Sequence, residues 1–113
     1  MKIYEMKLHP TPFQAIYEGR KTVEMRLFDE RRREIKKGDK IEFTNRADGA
    51  KILVLVKECV AFPTFLELYK AYSKEKLGYL PNEAFDPRDM EQYYSREDIK
   101  RYGVLAIEIE LLE

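Results

Sequence analysis

The chain has 113 residues, enough for one small domain with a modest core; 44% are hydrophobic and 37% are charged. This balance is typical of a globular protein with a heavily ionised surface and excludes a disordered chain. The 21 basic residues equal the 21 acidic ones, so any binding to nucleic acid must come from a local patch. We therefore predict a single domain over residues 1–113.

Cysteine, histidine and the apolar runs narrow the class further. Cys59 is the single cysteine and His9 the single histidine, so neither an intrachain disulfide nor a Cys/His zinc site can be assembled, and we expect no metal and no cofactor. No apolar run approaches the ~20 residues of a membrane span. Residues 1–8 are too polar and too few for a signal peptide, which predicts a cytoplasmic protein.

The first half of the chain predicts three strands and one helix. Alternating apolar and polar residues predict strands at Ile3–Leu8, Gly19–Leu27 and Lys40–Asn45. Between the first two, Thr11 as N-cap and Pro12 at the first helical position predict a short helix that ends at Gly19. The charged segment 28–37 predicts a surface loop with one helical turn around Glu30–Glu34.

The second half predicts a hairpin, two strands and two more helices. Asp48-Gly49 is a strong signal for a tight turn, and it leads into a long strand over Lys51–Phe62. Pro63 ends this strand and opens the second helix. A third helix begins after Ser95 in an S-x-x-D pattern, and the last strand covers Val104–Leu112.

The order of these elements favours an α+β fold. About five or six strands, joined mostly by hairpins, predict a small, mainly antiparallel β-barrel with two or three short peripheral helices over its openings. A ferredoxin-like sandwich is the competing fold, but the hairpin at Asp48-Gly49 and the late helices fit it poorly.

The segment Gly19–Leu27 is the strongest candidate for a binding site. Its alternation gives one strand face a hydroxyl, a carboxylate and a guanidinium, with a lysine just before them. Gly19 can turn the chain with φ > 0 and bring backbone N–H groups near a ligand. The candidate ligand-binding residues are Gly19, Arg20, Lys21, Thr22 and Arg26, with His9 beside the first helix. The alternative is a solvated face with cross-strand ion pairs.

Three stretches of the chain resemble the ASCH domain family. They are Gly19-Arg20-Lys21-Thr22-Val23-Glu24 with Arg26-Leu27, Lys37-Gly38-Asp39-Lys40-Ile41, and Tyr102-Gly103-Val104-Leu105-Ala106. The resemblance implies a PUA-like β-barrel that binds RNA or a nucleotide-derived ligand in a cleft beside the Gly-Lys-Thr strand. It also implies two enzymatic alternatives, because some members hydrolyse the amide of acetylated cytidine nucleosides and some relatives cut RNA.

Lys21 and Glu24 are the candidate catalytic residues. A lysine at the entrance of a strand can pair with a phosphate or, when desolvated, lose its proton and act as a nucleophile or base. In the amidohydrolase branch that the chain resembles, a threonine stands three residues after the lysine and is used with a later glutamate. Here Glu24 takes the threonine's position, where it can serve as a general base oriented by Arg26, and Glu75 or Glu83 is the candidate glutamate.

A basic run and several tyrosines are candidate RNA contacts. From Arg20 to Lys40 there are nine Lys or Arg residues against five Asp or Glu residues. The candidate phosphate contacts are Arg31, Arg32, Arg33, Lys36 and Lys37, and the alternative is a solvated loop. The candidate stacking residues are Tyr93, Tyr94 and Tyr102, and the alternative is a role in the core.

Three functions therefore follow as hypotheses. The leading one is a module that binds RNA or a modified nucleoside in a cleft beside the Gly19–Arg26 strand. The second is a metal-independent amidohydrolase that acts on acetylated cytidine-type nucleosides. The third is a protein-interaction domain, in which tyrosine and leucine side chains on the two later helices form an exposed patch.

Overall fold

The computed structural model describes residues 1–112. The strands are β1 (Ile3–Leu8), β2 (Val23–Leu27), β3 (Lys40–Asn45), β4 (Lys51–Phe62) and β5 (Val104–Leu111); the helices are α1 (Pro10–Tyr17), α2 (Phe65–Ala71) and α3 (Arg96–Tyr102), with 3₁₀ turns at Arg32–Glu34 and Pro87–Gln92. The strands form one sheet in the order β1-β3-β4-β5-β2. The sheet curls into a half-barrel with the short helices around it, which confirms the predicted α+β class.

Three of the four strand pairings are antiparallel, and the exception is the pairing of β1 with β3. In the antiparallel pairs β4 lies between β3 and β5, and β2 pairs with β5 at the edge. In the parallel pair, Ile3 lies opposite Lys40 and Leu8 opposite Asn45. The carboxyl ends of β1 and β3 therefore meet at the same end of the sheet.

The predicted bounds of β3 and β4 are confirmed, and so is the hairpin between them. Gly49 has φ +76°, the left-handed conformation that this turn requires. The long strand β4 has a register shift between Val56 and Glu58, which is typical of a β-bulge. At α3, the Ser95 hydroxyl accepts a hydrogen bond from the N–H of Asp98 at 3.1 Å, which confirms the predicted cap.

Helix α1 begins earlier than the prediction of a start at Thr11 and Pro12. Its first residue is Pro10, and His9 takes the N-cap position, because a proline at the first helical position is already set to helical φ. The helix ends at Tyr17, and Gly19, with φ +78°, takes the predicted left-handed position just after its C-terminus. The N–H of Lys21 then donates to the Ala15 carbonyl at 3.0 Å, so the helix end fixes the backbone of this lysine.

Strand β2 begins at Val23, later than the predicted start at Gly19, because the preceding residues complete the helix end and then pair with another segment. The N–H groups of Thr22 and Val23 both donate to the Lys76 carbonyl at 3.0 Å. This pairing lies outside the sheet and holds the 73–79 segment beside the start of β2. The segment lies close enough for Gly78 to contact the Lys21 side chain.

Two hydrophobic cores cover the two faces of β5. The larger core packs α1 against one face of the sheet and includes Leu105 and Ile107 of β5. The smaller core packs α2 against the other face and includes Val23 and Met25 of β2. The polar side chains of β2 are enclosed as well, since Glu24 is buried and Arg26 is largely buried. None of the helices in the described part of the chain has the length and apolar character that a membrane span requires.

Candidate functional site

A cavity of about 710 Å³ lies beside β2. Its walls come from the carboxyl end of β1, from Arg46 just after β3, from residues 24–26 of β2, and from the 77–94 segment between α2 and α3. Polar and aromatic side chains dominate this lining, with Leu77 and Met90 among its few apolar residues. The candidate catalytic residues Lys21 and Glu24 both line it, so this lysine and the polar side chains of β2 face a concave space.

Lys21 is buried, with 7% of its surface exposed, and its ammonium is held by Glu24. The Nζ atom lies 2.9 Å from Oε1 of Glu24. Gly78 covers the aliphatic part of the lysine: a Cβ built at Gly78 would lie 3.0 Å from Cδ of Lys21. Gly78 also has φ +103°, so both its conformation and its lack of a side chain suit this position.

Glu24 is the centre of a buried ion network. It is 3% exposed; Oε1 also accepts a hydrogen bond from the N–H of Met25 at 3.0 Å, and Oε2 accepts one from Nε of Arg26 at 3.1 Å. Burial alone would raise the pKa of Glu24, but the charges of Lys21 and Arg26 and the hydrogen bonds outweigh it and lower the pKa to about 2. Glu24 is therefore an ionised carboxylate and a weak base.

Arg26 joins this network to the opposite edge of the sheet. Its side chain is 12% exposed, and one terminal nitrogen lies 3.0 Å from Oε2 of Glu24. The same nitrogen donates a hydrogen bond to the backbone carbonyl of Lys7 in β1 at 3.0 Å. Glu24 and Arg26 pair in register with Ile107 and Leu105, so both side chains lie on one face of the sheet, as the alternation predicted.

Another part of the cavity wall is built from tyrosines and carboxylates. The hydroxyls of Tyr69 and Tyr79 lie 2.8 Å apart, and that of Tyr79 donates to Oδ2 of Asp89 at 2.7 Å. Oε1 of Glu83 accepts a hydrogen bond from the N–H of Leu80 at 2.6 Å. Burial, as the largest cause, raises the pKa of Tyr69 to about 12, so its hydroxyl stays protonated.

Two aromatic rings stand near the cavity mouth. Tyr93 is 46% exposed, and its ring centroid lies 5.6 Å from that of His9. Tyr94 is half-buried and packs its ring against Phe65 at a centroid distance of 6.1 Å. Of these rings, Tyr93 is the one available to stack on a planar ligand.

The structure brings some of the predicted site residues together. The residues that line the cavity are His9, Lys21, Glu24, Arg26 and Arg32, together with Tyr93, Tyr94 and Glu83. Of the two candidate glutamates, Glu83 thus lies in the cavity wall, whereas Glu75 does not.

Other predicted site residues lie elsewhere. Gly19 and Thr22 line a second cavity of about 380 Å³, which Lys21 also borders. Arg20 is exposed and pairs with Glu18 at 2.9 Å. The candidate phosphate contacts that are exposed and lie outside the cavity are Arg31, Arg33, Lys36 and Lys37. Tyr102 is half-buried and also lies outside it.

Several residues of the cavity were missed by the sequence analysis. They include Tyr69, whose place in a helix is equally typical of a core residue, and Tyr79 and Asp89, which lie in or next to a stretch broken by Gly78, Pro81 and Pro87. Gly78 offered the one usable signal, since an isolated glycine can mark a close approach of the backbone to another group. Within residues 1–112, no three His, Cys, Asp or Glu side chains are grouped so that they could hold a metal ion.

Comparison with known proteins identifies the family. The model of the ASCH domain matches residues 6–113. The crystal structure of the hypothetical protein PH0355 is 37% identical, with a TM-score of 0.83 over 99% of this chain and 100% of that one. The solution NMR structure of protein PF0455 from Pyrococcus furiosus is 38% identical, with a TM-score of 0.72 over 100% and 99%. No curated protein matches the chain. The half-barrel is consistent with a PUA-like barrel, a fold of the RNA-binding type, and the chain belongs to the ASCH domain family.

Proposed function

We propose that this ASCH domain binds an RNA nucleotide or a modified nucleoside in the cavity beside β2. The observation that carries the proposal is the buried network of Lys21, Glu24 and Arg26 in the wall of a concave space. Isolated buried charges are costly, so a network of this kind in a cavity is more typical of a binding site than of a stability device.

The network leaves hydrogen-bond donors for a ligand. An ammonium has three N–H donors and a guanidinium has five, whereas Glu24 offers two oxygens to both groups. Two cations and one carboxylate also leave a net positive charge, which suits carbonyl or phosphate oxygens. The nearby ring of Tyr93 adds a stacking surface for a base.

Binding titrations test this proposal. Labelled single-stranded and structured RNAs are titrated at two salt concentrations, and free nucleosides are titrated by calorimetry. We expect an RNA affinity tighter than ~10⁻⁴ M at low salt, because weaker binding would not exceed ordinary non-specific association. Arg26→Gln is expected to weaken binding at least about tenfold. Arg88→Gln is the matched control, since Arg88 is exposed and outside the cavity. If neither RNA nor a nucleoside binds, the proposal is wrong.

A second candidate function is a metal-independent amidohydrolase for acetylated cytidine-type nucleosides. The observation that favours it is that Lys21 and Glu83 line the same cavity, as the lysine and later glutamate of the amidohydrolase branch would require. With a pKa of about 2, Glu24 is too weak a base for efficient proton transfer at neutral pH. We therefore propose that Glu24 positions the Lys21 ammonium and does not act as the base.

Chromatography of acetylated cytidine incubated with the protein tests this candidate. We expect release of cytidine by the wild type, and a loss of at least about 100-fold in Lys21→Ala and in Glu83→Gln. Glu75→Gln is the control for Glu83, because Glu75 lies outside the cavity. Hydrolysis that persists in Lys21→Ala would show that this lysine is not needed for the reaction.

A further inference from the structure

One end of the cavity gathers cationic side chains that are distant in sequence. The parallel pairing of β1 with β3 places Leu8 opposite Asn45, and the N–H of Arg46 donates to the Leu8 carbonyl at 2.9 Å. Lys7, which precedes Leu8, lines the cavity at this end together with Arg46. This cationic end follows from the topology of the sheet.

Of the lysines and arginines that line the cavity, Lys7 and Arg46 are not neutralised by a carboxylate of the described residues. Arg26 is held by Glu24, and Arg32 pairs with Asp29 at 2.6 Å. Among residues 1–112, by contrast, neither Lys7 nor Arg46 has a carboxylate within ion-pair distance. Both are exposed at the cavity rim, where an incoming anion can reach them.

A different part of the cavity wall has the opposite charge. Glu83 and Asp89 line it, and each carboxylate already accepts one hydrogen bond from the protein. An anionic group would be repelled by this wall and attracted to the β1–β3 end. The charge distribution therefore gives a ligand one preferred orientation.

We propose that Lys7 and Arg46 bind a phosphate group of the ligand, so that the cavity takes a nucleotide in preference to the corresponding free nucleoside. The inference rests on the proposed function and names the ligand class more narrowly. A guanidinium matches phosphate oxygens through parallel N–H donors, and a lysine adds a point charge. The phosphate is either the monoester of a free nucleotide or a diester of an RNA chain.

Calorimetry with matched ligands tests the inference. The four ribonucleosides, their 5′-monophosphates and a single-stranded oligoribonucleotide are titrated into the wild type, Lys7→Ala, Arg46→Ala and Arg46→Lys. Arg96→Ala is the control, because Arg96 is exposed, pairs with Glu91 and lies outside the cavity. Circular dichroism shows that each variant is folded, which the exposed side chains of Lys7 and Arg46 lead us to expect.

We expect the wild type to bind at least one monophosphate about tenfold more tightly than its nucleoside. Arg46→Ala abolishes this preference while the nucleoside affinity stays within about twofold, and it lowers the salt slope by about 1. Arg46→Lys recovers part of the preference, and Arg96→Ala behaves like the wild type. If only the oligoribonucleotide binds and Arg46→Ala weakens it, the inference holds with RNA as the source of the phosphate.

Two results would overturn the inference while leaving the proposed function intact. One is equal binding of nucleoside and monophosphate by the wild type. The other is an equal loss of nucleoside and monophosphate affinity in Arg46→Ala. If no ligand binds to the wild type, the proposed function fails and the inference fails with it.

Discussion

The guanidinium of Arg26 donates a hydrogen bond to the backbone carbonyl of Lys7 at 3.0 Å, although β2 and β1 are the opposite edge strands of the sheet. No strand pairing joins these two edges, so the arginine side chain spans the gap between them. The same side chain holds Glu24, which holds Lys21. The geometry of the cavity is therefore linked to the curl of the sheet.

Glu24→Gln is expected to destabilise the protein by about 3–5 kcal/mol, because it leaves two buried cations without their carboxylate. Urea denaturation measures the change in the free energy of unfolding. Glu110→Gln is the matched control on β5: its partner Lys57 is 3.6 Å away and both are exposed, so its effect stays within about 1 kcal/mol. Equal stability of Glu24→Gln and the wild type would contradict the network described above.

The same carboxylate predicts a pH dependence. Folding lowers the pKa of Glu24 from 4.5 to about 2, so its ionised carboxylate stabilises the folded protein fully above the unfolded-state pKa. This contribution is lost as the pH falls to about 2. The difference in unfolding free energy between the wild type and Glu24→Gln is thus constant above about pH 5. It shrinks as the pH falls from about 4.5 to 2, because Glu24 becomes protonated in the wild type, whereas the other carboxylates titrate in both proteins and cancel. A difference that is independent of pH across this range would show that folding does not lower the pKa of Glu24.

Gly78 provides a test of how Lys21 is positioned. Gly78→Ala places a Cβ 3.0 Å from Cδ of Lys21 at φ +103°, so we expect backbone strain and a displaced lysine. Gly38→Ala is the control, since Gly38 has φ +95° and open space around its Cα. Denaturation is expected to show a loss of about 1–3 kcal/mol in the control and a larger loss in Gly78→Ala. Equal losses would show that Lys21 accommodates the added methyl group freely.

The local pattern of the sequence predicts the hairpin and the bounds of its strands. The Asp48-Gly49 turn and the alternation in β3 depend on neighbouring residues, so they can be recognised without tertiary information. The parallel pairing of β1 with β3 has no such signal. The proximity of Lys7 and Arg46 was therefore not predictable, because it depends on that pairing.

The local sequence pattern also did not predict that the polar face of β2 is buried. Alternation shows that Glu24 and Arg26 share a face, but it does not show whether another segment covers that face. Here the 73–79 segment pairs with the chain at Thr22, and Gly78 packs on Lys21. The basic run at 31–37 is the converse case, since most of its side chains lie on the exposed surface outside the cavity.

Cys59 is expected to react slowly with thiol reagents in the folded protein. Burial, as the largest cause, together with nearby carboxylates such as Glu58, raises the pKa of the thiol to about 11. At pH 8 we expect labelling by a disulfide reagent to be at least about tenfold slower in the folded protein than in urea. Equal rates in the two states would contradict the half-buried placement of this side chain.

The most direct test of the binding cavity is a map of backbone amide shifts by NMR during titration with a ribonucleoside 5′-monophosphate. We expect the largest shifts to cluster at Lys7, Met25, Gly78, Tyr93 and their neighbours, which line one cavity although they are far apart in sequence. Saturable shifts at these amides would support ligand binding in the cavity beside β2. Shifts confined to the exposed 31–37 segment, or no shifts at all, would contradict it.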